Sequence, residues 1–292
     1  MIQRSRRNFR FNTLVWLLIL GMGKSWAASG GPWSYGFETS ALFDDNIGRS
    51  QNAVDIEKDY LFSGSVDASY TWGFSELMAL TVQGALQDEE YFDFEKLSNN
   101  RFSLITDFRF QTRMGFTAPS YSFFASVAEV DSETDIRDAT TTELGFRVTK
   151  RLTDIITGTA GLTAIDSTAE GEVFDLDRTR YFGNIDYRIT NRWSAYLTYN
   201  YIDGDVFSTA TPTLPILNWA DAIEPDNAFG GAANNKFAYR LDAKTTIWRL
   251  GGNYGIDSKN AIDMSVDMLH SDAAGPNEYD RVSAAATFLH RF

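Results

Sequence analysis

The strongest constraint in this 292-residue chain is a hydrophobic period of two that returns about twelve times. Between 33 and 43, Trp33, Tyr35, Phe37, Ala41 and Phe43 alternate with Ser34, Gly36, Glu38 and Ser40. Successive side chains of a strand point to opposite faces, so this pattern predicts a strand with one apolar and one polar face. Between 60 and 72 the apolar set is Tyr60, Phe62, Val66, Ala68, Tyr70 and Trp72, against Ser63, Ser65, Asp67, Ser69 and Thr71. Further copies fall at 78–86, 102–110, 121–127, 142–148, 156–164, 181–189, 193–201, 246–256, 262–270 and 282–292. A bundle of membrane helices is excluded, because each helix would need about 20 consecutive apolar residues.

The links between these segments alternate in length. Short ones at 73–75, 151–154, 191–192 and 257–260 exchange with longer acidic ones at 44–59, 88–99, 131–138 and 166–178. Short turns at one end and long loops at the other describe an outer-membrane barrel. A soluble sandwich or lipocalin-like barrel would have to bury most of the 7 Trp, 13 Tyr and 22 Phe in a small core and leaves the turn asymmetry unexplained. The fold expected is therefore all-β: a transmembrane antiparallel up-and-down β-barrel of about 12 strands, with 10 or 14 as the neighbouring even counts. Evenness follows from placing the first and last strands' free ends on the same side. Aromatics at strand ends, among them Trp33, Phe43, Tyr60, Trp72, Tyr181, Trp193, Tyr201, Tyr254 and Phe292, suit the two interfaces of a bilayer. Rich in aromatics yet with a mean hydropathy of −0.26, the chain is neither disordered nor uniformly greasy.

Residues 1–27 carry Arg4, Arg6, Arg7 and Arg10, then an apolar run over 14–22, then Ser25-Trp26-Ala27 as a small-x-small cleavage site. This reads as a secretory signal peptide, with 28–292 as the barrel. Cleavage after Ala27 removes five of the 26 basic residues and none of the 39 acidic ones, which deepens the net charge from −13 to about −18. Such acidity disfavours nucleic acid as a partner. The absence of cysteine excludes disulfides, thiolate metal sites and thiol catalysis.

The ending Ala286-Thr287-Phe288-Leu289-His290-Arg291-Phe292 resembles the C-terminal signal of Gram-negative outer-membrane proteins, porin-like barrels among them. That resemblance implies residence in the bacterial outer membrane among its lipids, and recognition of Phe288 and Phe292 by the barrel-assembly machinery. A shorter likeness lies in Asp44-Asp45-Asn46-Ile47, which is similar to a segment of porin-like barrels associated with exopolysaccharide export.

The register places a set of charged side chains inside: Arg101, Asp107, Arg109, Glu143, Arg147, Arg180, Asp186 and Arg188 towards one wall, with Glu38, Asp67, Asp263 and Asp267 across from them. Two readings stay open. One is a polar, mixed-charge pore with a transverse field for small polar or charged solutes; the other is a closed interior in which each buried charge finds a partner. Small inward residues, Ser63, Ser65 and Ser69 on the second strand and Thr157, Thr159, Gly161 and Thr163 on the seventh, are expected to leave space near the axis. The connection 204–244 shows no clear alternation and holds Pro212, Pro215 and Pro225. Its apolar part, 214–223, is expected to fold into or across the mouth, or else to pack as a surface lobe.

Most acids fall in the outer loops, including Asp88, Glu89, Glu90, Asp93 and Glu95. Carboxylates alternate at 131–135, but without the glycine and terminal glutamate of a calcium loop, so neither a metal nor a cofactor is assigned. For lipid hydrolysis the one candidate pair is His270-Ser271, and adjacent strand residues point to opposite faces. A porin-like channel is thus the first expectation, a barrel accessory to surface-polysaccharide export the second, and a lipid-modifying hydrolase the third. An autotransporter pore would need a large passenger ahead of the first strand. Solute and oligomeric state are not readable from these residues.

Overall fold

The computed structural model describes residues 32–292. The signal segment expected over 1–27 lies outside the described residues. Twelve long strands form one antiparallel sheet. They are β1 (Trp33–Asp44), β2 (Asp59–Ser75), β3 (Met78–Tyr91), β4 (Asn99–Gln111), β5 (Ser120–Ser132) and β6 (Ala139–Arg151), followed by β7 (Ile156–Ala169), β8 (Leu176–Arg188), β9 (Trp193–Ala210), β11 (Phe237–Gly255), β12 (Asn260–Ala273) and β13 (Glu278–Arg291). A short strand, β10 (Ala222–Pro225), lies between β9 and β11 in sequence.

Each long strand pairs with its neighbour, β9 pairs directly with β11, and β13 returns to β1 with Phe37 opposite His290 and Phe43 opposite Ala284. The sheet therefore closes on itself as a twelve-stranded up-and-down barrel, as the alternation predicts. Closure leaves no unpaired edge in the wall, which is what a bilayer demands of a β protein.

The convex face is apolar. Phe102, Leu104, Phe123, Leu144, Leu162, Ile185, Leu197, Leu250, Met264 and Val266 all point outward and stay exposed. A contiguous apolar surface of this kind is far more than a soluble monomer carries, and matches hydrocarbon. At the short-turn end Trp33 packs edge-on to Tyr70, Phe110 stacks on Tyr121, and Trp193 tilts against Tyr254. Phe43 and Tyr60 do the same towards the long-loop end. These pairs form two girdles. None of the described helices is long and apolar enough to cross a membrane.

The strands outrun their sequence pattern at the loop end. β3 continues to Tyr91, so Asp88, Glu89 and Glu90 belong to a strand and not to a loop. At the opposite end 73–75 is still β2, with a register shift between Gly73 and Ser75, and the turn is 76–77. In the connection read as 204–244, β9 persists to Ala210 and β11 begins at Phe237, which leaves 211–236 as the link itself. Alternation vanishes there for a physical reason: Val206, Ser208, Thr209, Ala210, Ala238, Tyr239 and Leu241 are all buried, on both faces of the ribbon. A strand covered on both sides has no period of two to display.

Candidate functional site: the lumen and its cap

Six loops ring the long-loop end: L1 (45–58), L2 (92–98), L3 (133–138), L4 (170–175), L5 (211–236) and L6 (274–277). The β9–β11 ribbon rises past them. Gly204 sits at φ 131°, a conformation costly for any other residue, and a Cβ there would collide with the Asp177 carbonyl oxygen and the Arg178 backbone. Beyond it, one face of the ribbon packs on L4 and L3. Phe207 meets Phe174 edge-on at 5.0 Å, alongside Val173, Ala222, Ala238 and Ile136. The other face holds Val206 and Leu241 against Ala273, and Ala210 and Tyr239 against Ile216.

The tip goes furthest. Ala228 and Phe229 join Ile47 of L1 and Leu97 of L2 in one buried cluster, with the Phe94 and Phe229 rings 5.0 Å apart. L2 joins β3 to β4, half-way round a twelve-strand ring from the β9–β11 seam. L5 and its ribbon therefore cross the mouth as a cap. The crossing residues are 226–229, where the sequence pointed to 214–223. Within that stretch a short helix, α1 (Leu214–Trp219), sits beside the ribbon, burying Ile216 and laying Trp219 over Gly275 of L6, while Leu214, Leu217, Trp219 and Ile223 stay exposed.

Two buried ion pairs clasp the cap. The Asp226 carboxylate is fully buried; it accepts from Arg137 of L3 at 2.5 Å, from the Thr209 hydroxyl at 2.7 Å and from the Ala228 backbone N–H at 3.1 Å. Asp55 of L1 accepts from Lys236 at 2.8 Å and from the Thr211 hydroxyl at 2.7 Å. Burial on its own would raise the Asp55 pKa, but the hydrogen bonds from Lys236 and Thr211 outweigh it, so the pKa is lowered. A lowered carboxylate contributes its full stability above its unfolded value of about 4 and loses it as pH falls through the folded value. Protease cleavage within 226–236 is therefore expected to stay slow and flat from pH 7 to about 4 and to quicken below. The Asp55→Asn variant should lack that acid-dependent step; a rise already present near pH 6 would contradict this account.

The segment Asp44-Asp45-Asn46-Ile47 is fully engaged in holding L1. Asn46 donates to the carbonyls of Ser50 and Asp280, both at 2.9 Å, and its side-chain oxygen accepts from the Ser50 N–H. Asp45 accepts from Val282 N–H, Asp44 pairs with Arg281 at 2.8 Å, and Ile47 enters the tip cluster.

Below the cap, strand register puts all twelve sequence-selected charges on the concave face. They pair along the wall. Arg147 of β6 reaches over β5 to Asp107 of β4, Arg180 of β8 reaches over β7 to Glu143 at 3.4 Å, and Arg291 of β13 meets Glu38 of β1 at 3.4 Å and reaches over β1 to Asp67 of β2 at 2.7 Å. Arg249 takes Asp267 in a two-pronged contact, Asp263 accepts from the Tyr196 hydroxyl at 2.8 Å, Asp186 accepts from Asn184 at 2.7 Å, and Arg188 reaches the Asp154 carbonyl. Among the described residues Arg101 and Arg109 form no ion pair within 4 Å. The simple picture of a basic wall facing an acidic one gives way to a laced wall in which most charges are satisfied sideways.

Large inward side chains also lie flat. Phe124 of β5 covers Gly145 of β6, Phe182 of β8 covers Gly161 of β7, Tyr196 of β9 covers Gly251 of β11, and Arg291 covers Gly36. In each case a Cβ on the glycine would overlap the covering group. The space expected at Gly161 is therefore occupied by the Phe182 ring, yet the same device keeps the ring against the wall. Four arginines gather under the cap, Arg49, Arg137, Arg178 and Arg281. Sequence reasoning reads Arg281 as inward-facing on the last strand and misses the other three, of which only Arg178 occupies an alternating strand position that could have disclosed it.

His270 and Ser271 do diverge. The serine hydroxyl is buried against Thr245 at 2.8 Å inside, whereas the imidazole faces out and contacts Asp280 at 2.9 Å.

No protein-family model matches the chain, and no curated protein matches it in sequence. Solved structures do match in shape. The chain is similar to the COG4313 outer membrane channel from Pseudomonas putida F1, with a TM-score of 0.58 at 12% identity, covering 91% of this chain and 97% of that one. It is also matched, at TM-scores of 0.46 and 0.47, by the KdgM porin (8% identity; 88% of this chain, 99% of that one) and the NanC porin (6% identity; 87% and 98%). At 12% identity the likeness to the outer membrane channel is one of fold.

Proposed function

We propose that this protein is a porin-like channel of the bacterial outer membrane, passing small polar or charged solutes through a lumen of mixed charge beneath an acidic outer rim. The observation that carries this reading is the treatment of bulk on the concave face. Phe124, Phe182, Tyr196 and Arg291 are each pressed onto a glycine of the adjoining strand, which spends wall glycines to keep the axis clear. A twelve-strand barrel is intermediate between those filled by side chains and those holding a broad aqueous channel, so this detail supports the channel. The likeness to an outer membrane channel agrees with it.

Outer-membrane lipids are the partner of the convex face. The barrel-assembly machinery is the partner of the last strand, where Phe288 faces outward opposite Ile262 and Thr39 and the Phe292 ring meets His290 at 4.5 Å. A part in polysaccharide export rests on 44–47 alone, and those residues are occupied in holding L1. The His270-Ser271 pair lends no support to a hydrolase reading: the imidazole contacts Asp280, and the Ser271 hydroxyl turns inward to Thr245.

The test is reconstitution of the mature chain in planar bilayers with defined potassium chloride. Discrete, reproducible conductance steps are expected; a folded, heat-modifiable barrel that passes no ions at any voltage would overturn the reading.

A further inference from the structure

The chain is strongly acidic, and its outer loops would favour cations. Beneath the cap the local chemistry is opposite. Arg49 of L1 lies with its guanidinium 3.9 Å above the Phe207 ring, and Arg137 of L3 lies 5.2 Å from the same ring. Arg281 of β13 and Arg178 of β8 point inward by register, as does Tyr279 beside them on β13. Arg137 and Arg281 are committed to Asp226 and Asp44. Glu143, the strongest charge acting on Arg178, is committed to Arg180 at 3.4 Å. Asp205 also acts on Arg178, and its carboxylate accepts from the Asp177 N–H.

Two guanidiniums are left over. Among the described residues Arg49 and Arg178 form no ion pair within 4 Å. Arg178 has a single long hydrogen bond, to the Ser167 hydroxyl at 3.5 Å, and its buried Nε has no partner. Arg49 is half-buried. Burial pulls its pKa down to about 10; Tyr279 opposes this, and Arg281, Arg178 and Arg137 add to it. Its backbone is strained as well: φ is 56°, where glycine or asparagine would sit more easily, so the position holds arginine against its conformational preference. A desolvated, unpaired guanidinium is costly unless something anionic completes it.

We propose that Arg49 and Arg178, with Tyr279 and Arg281 beside them, form a binding site for the carboxylate of a small organic anion, enclosed under the cap at the entrance to the lumen. Planar, delocalised guanidiniums match a carboxylate's two oxygens, and the Phe207 face holds Arg49 in place for it. The site makes the channel a filter for acidic solutes in spite of its acidic exterior. This deepens, and rests on, the channel reading above.

The decisive experiment has two arms on the full mature barrel. In detergent, citrate, acetate, inorganic phosphate and chloride are titrated while thermal unfolding and tryptophan fluorescence are recorded. Citrate and acetate should stabilise the wild type with saturation. Arg49→Gln and Arg178→Gln should each weaken citrate binding about tenfold or more, and Arg178→Lys should recover part of it. In bilayers under a potassium chloride gradient, the wild type should show anion preference that citrate on the loop side blocks, and either glutamine variant should move the reversal potential towards cations. Saturation by phosphate but not by the carboxylates would overturn the proposed ligand class. Equal citrate affinity in wild type and both glutamine variants, or a cation-selective wild type indifferent to citrate, would overturn the site. A barrel that binds citrate through these arginines yet never conducts would instead remove the channel reading and leave the site standing. Lys259→Gln, in the exposed short turn between β11 and β12 at the opposite end of the barrel, keeps citrate affinity unchanged if the site is local.

Discussion

The Asp226→Ala barrel is expected to lose its cap while keeping its wall. Asp226 is the one carboxylate on L5 that binds three separate groups at once, the Arg137 guanidinium, the Thr209 hydroxyl and the Ala228 N–H. Truncation strands Arg137, whose Nε already has no partner, in a buried setting between Phe174 and Phe207. Removing one member of a buried ion pair costs about 3–5 kcal/mol, because the survivor remains desolvated without compensation. That cost falls on the docked cap only, since no wall strand depends on this carboxylate for its ladder. At tenfold per 1.4 kcal/mol, the closed-to-open ratio of the cap should fall by roughly two to three and a half orders of magnitude. Single-channel records should show larger and noisier currents, and proteases should cut 226–236 in the folded protein. Asp226→Asn, which keeps the Thr209 and Ala228 contacts in reach, should lie between the two. Wild-type current and wild-type protease resistance in Asp226→Ala would mean that the clasp holds nothing in place.

The cap also marks the boundary of what the sequence discloses. Wall strands announce themselves because lipid on one side and lumen on the other impose opposite polarities on alternate residues. Every charge picked out by that rule, from Glu38 on β1 to Asp267 on β12, does occupy the concave face. The ribbon above Gly204 has protein on both sides, so Val206, Ser208, Tyr239 and Leu241 carry no such contrast and read as loop. Long-range pairing is equally silent: nothing in the order of residues says that Phe229 will reach Leu97, or that Lys236 will reach Asp55. The left-over arginines follow the same logic. Arg49 lies in a loop where no period applies, and what distinguishes it, an unpaired charge in an enclosed place, exists only once five loops have converged. Glycine was the one local signal available. Gly145, Gly161 and Gly251, on the concave side of wall strands, each mark a place where a neighbour's ring comes down onto the backbone, whereas Gly64, Gly84, Gly183 and Gly252, on the lipid-facing side, carry no such ring.

That reading of the glycines makes the second large prediction. In Gly145→Leu, the first carbon of the new side chain falls within the Phe124 ring, so the two cannot coexist as placed. The Arg147 guanidinium lies 5.4 Å from the Phe124 centroid, and Arg147 is itself tied to Asp107. The ring has one direction in which to yield, which is towards the axis. Conductance should fall several-fold, while the outer wall, including Leu144 and Phe146 on either side, keeps its lipid contacts. Phe124→Ala removes the obstruction and should raise conductance slightly on its own. Combined with Gly145→Leu it should restore most of the current, a coupling that two independent effects would not produce. If the double variant conducts no better than Gly145→Leu alone, or if Gly145→Leu conducts like wild type, then the flattened rings do not set the width of the lumen, and the claim that this wall is built to stay open fails with them.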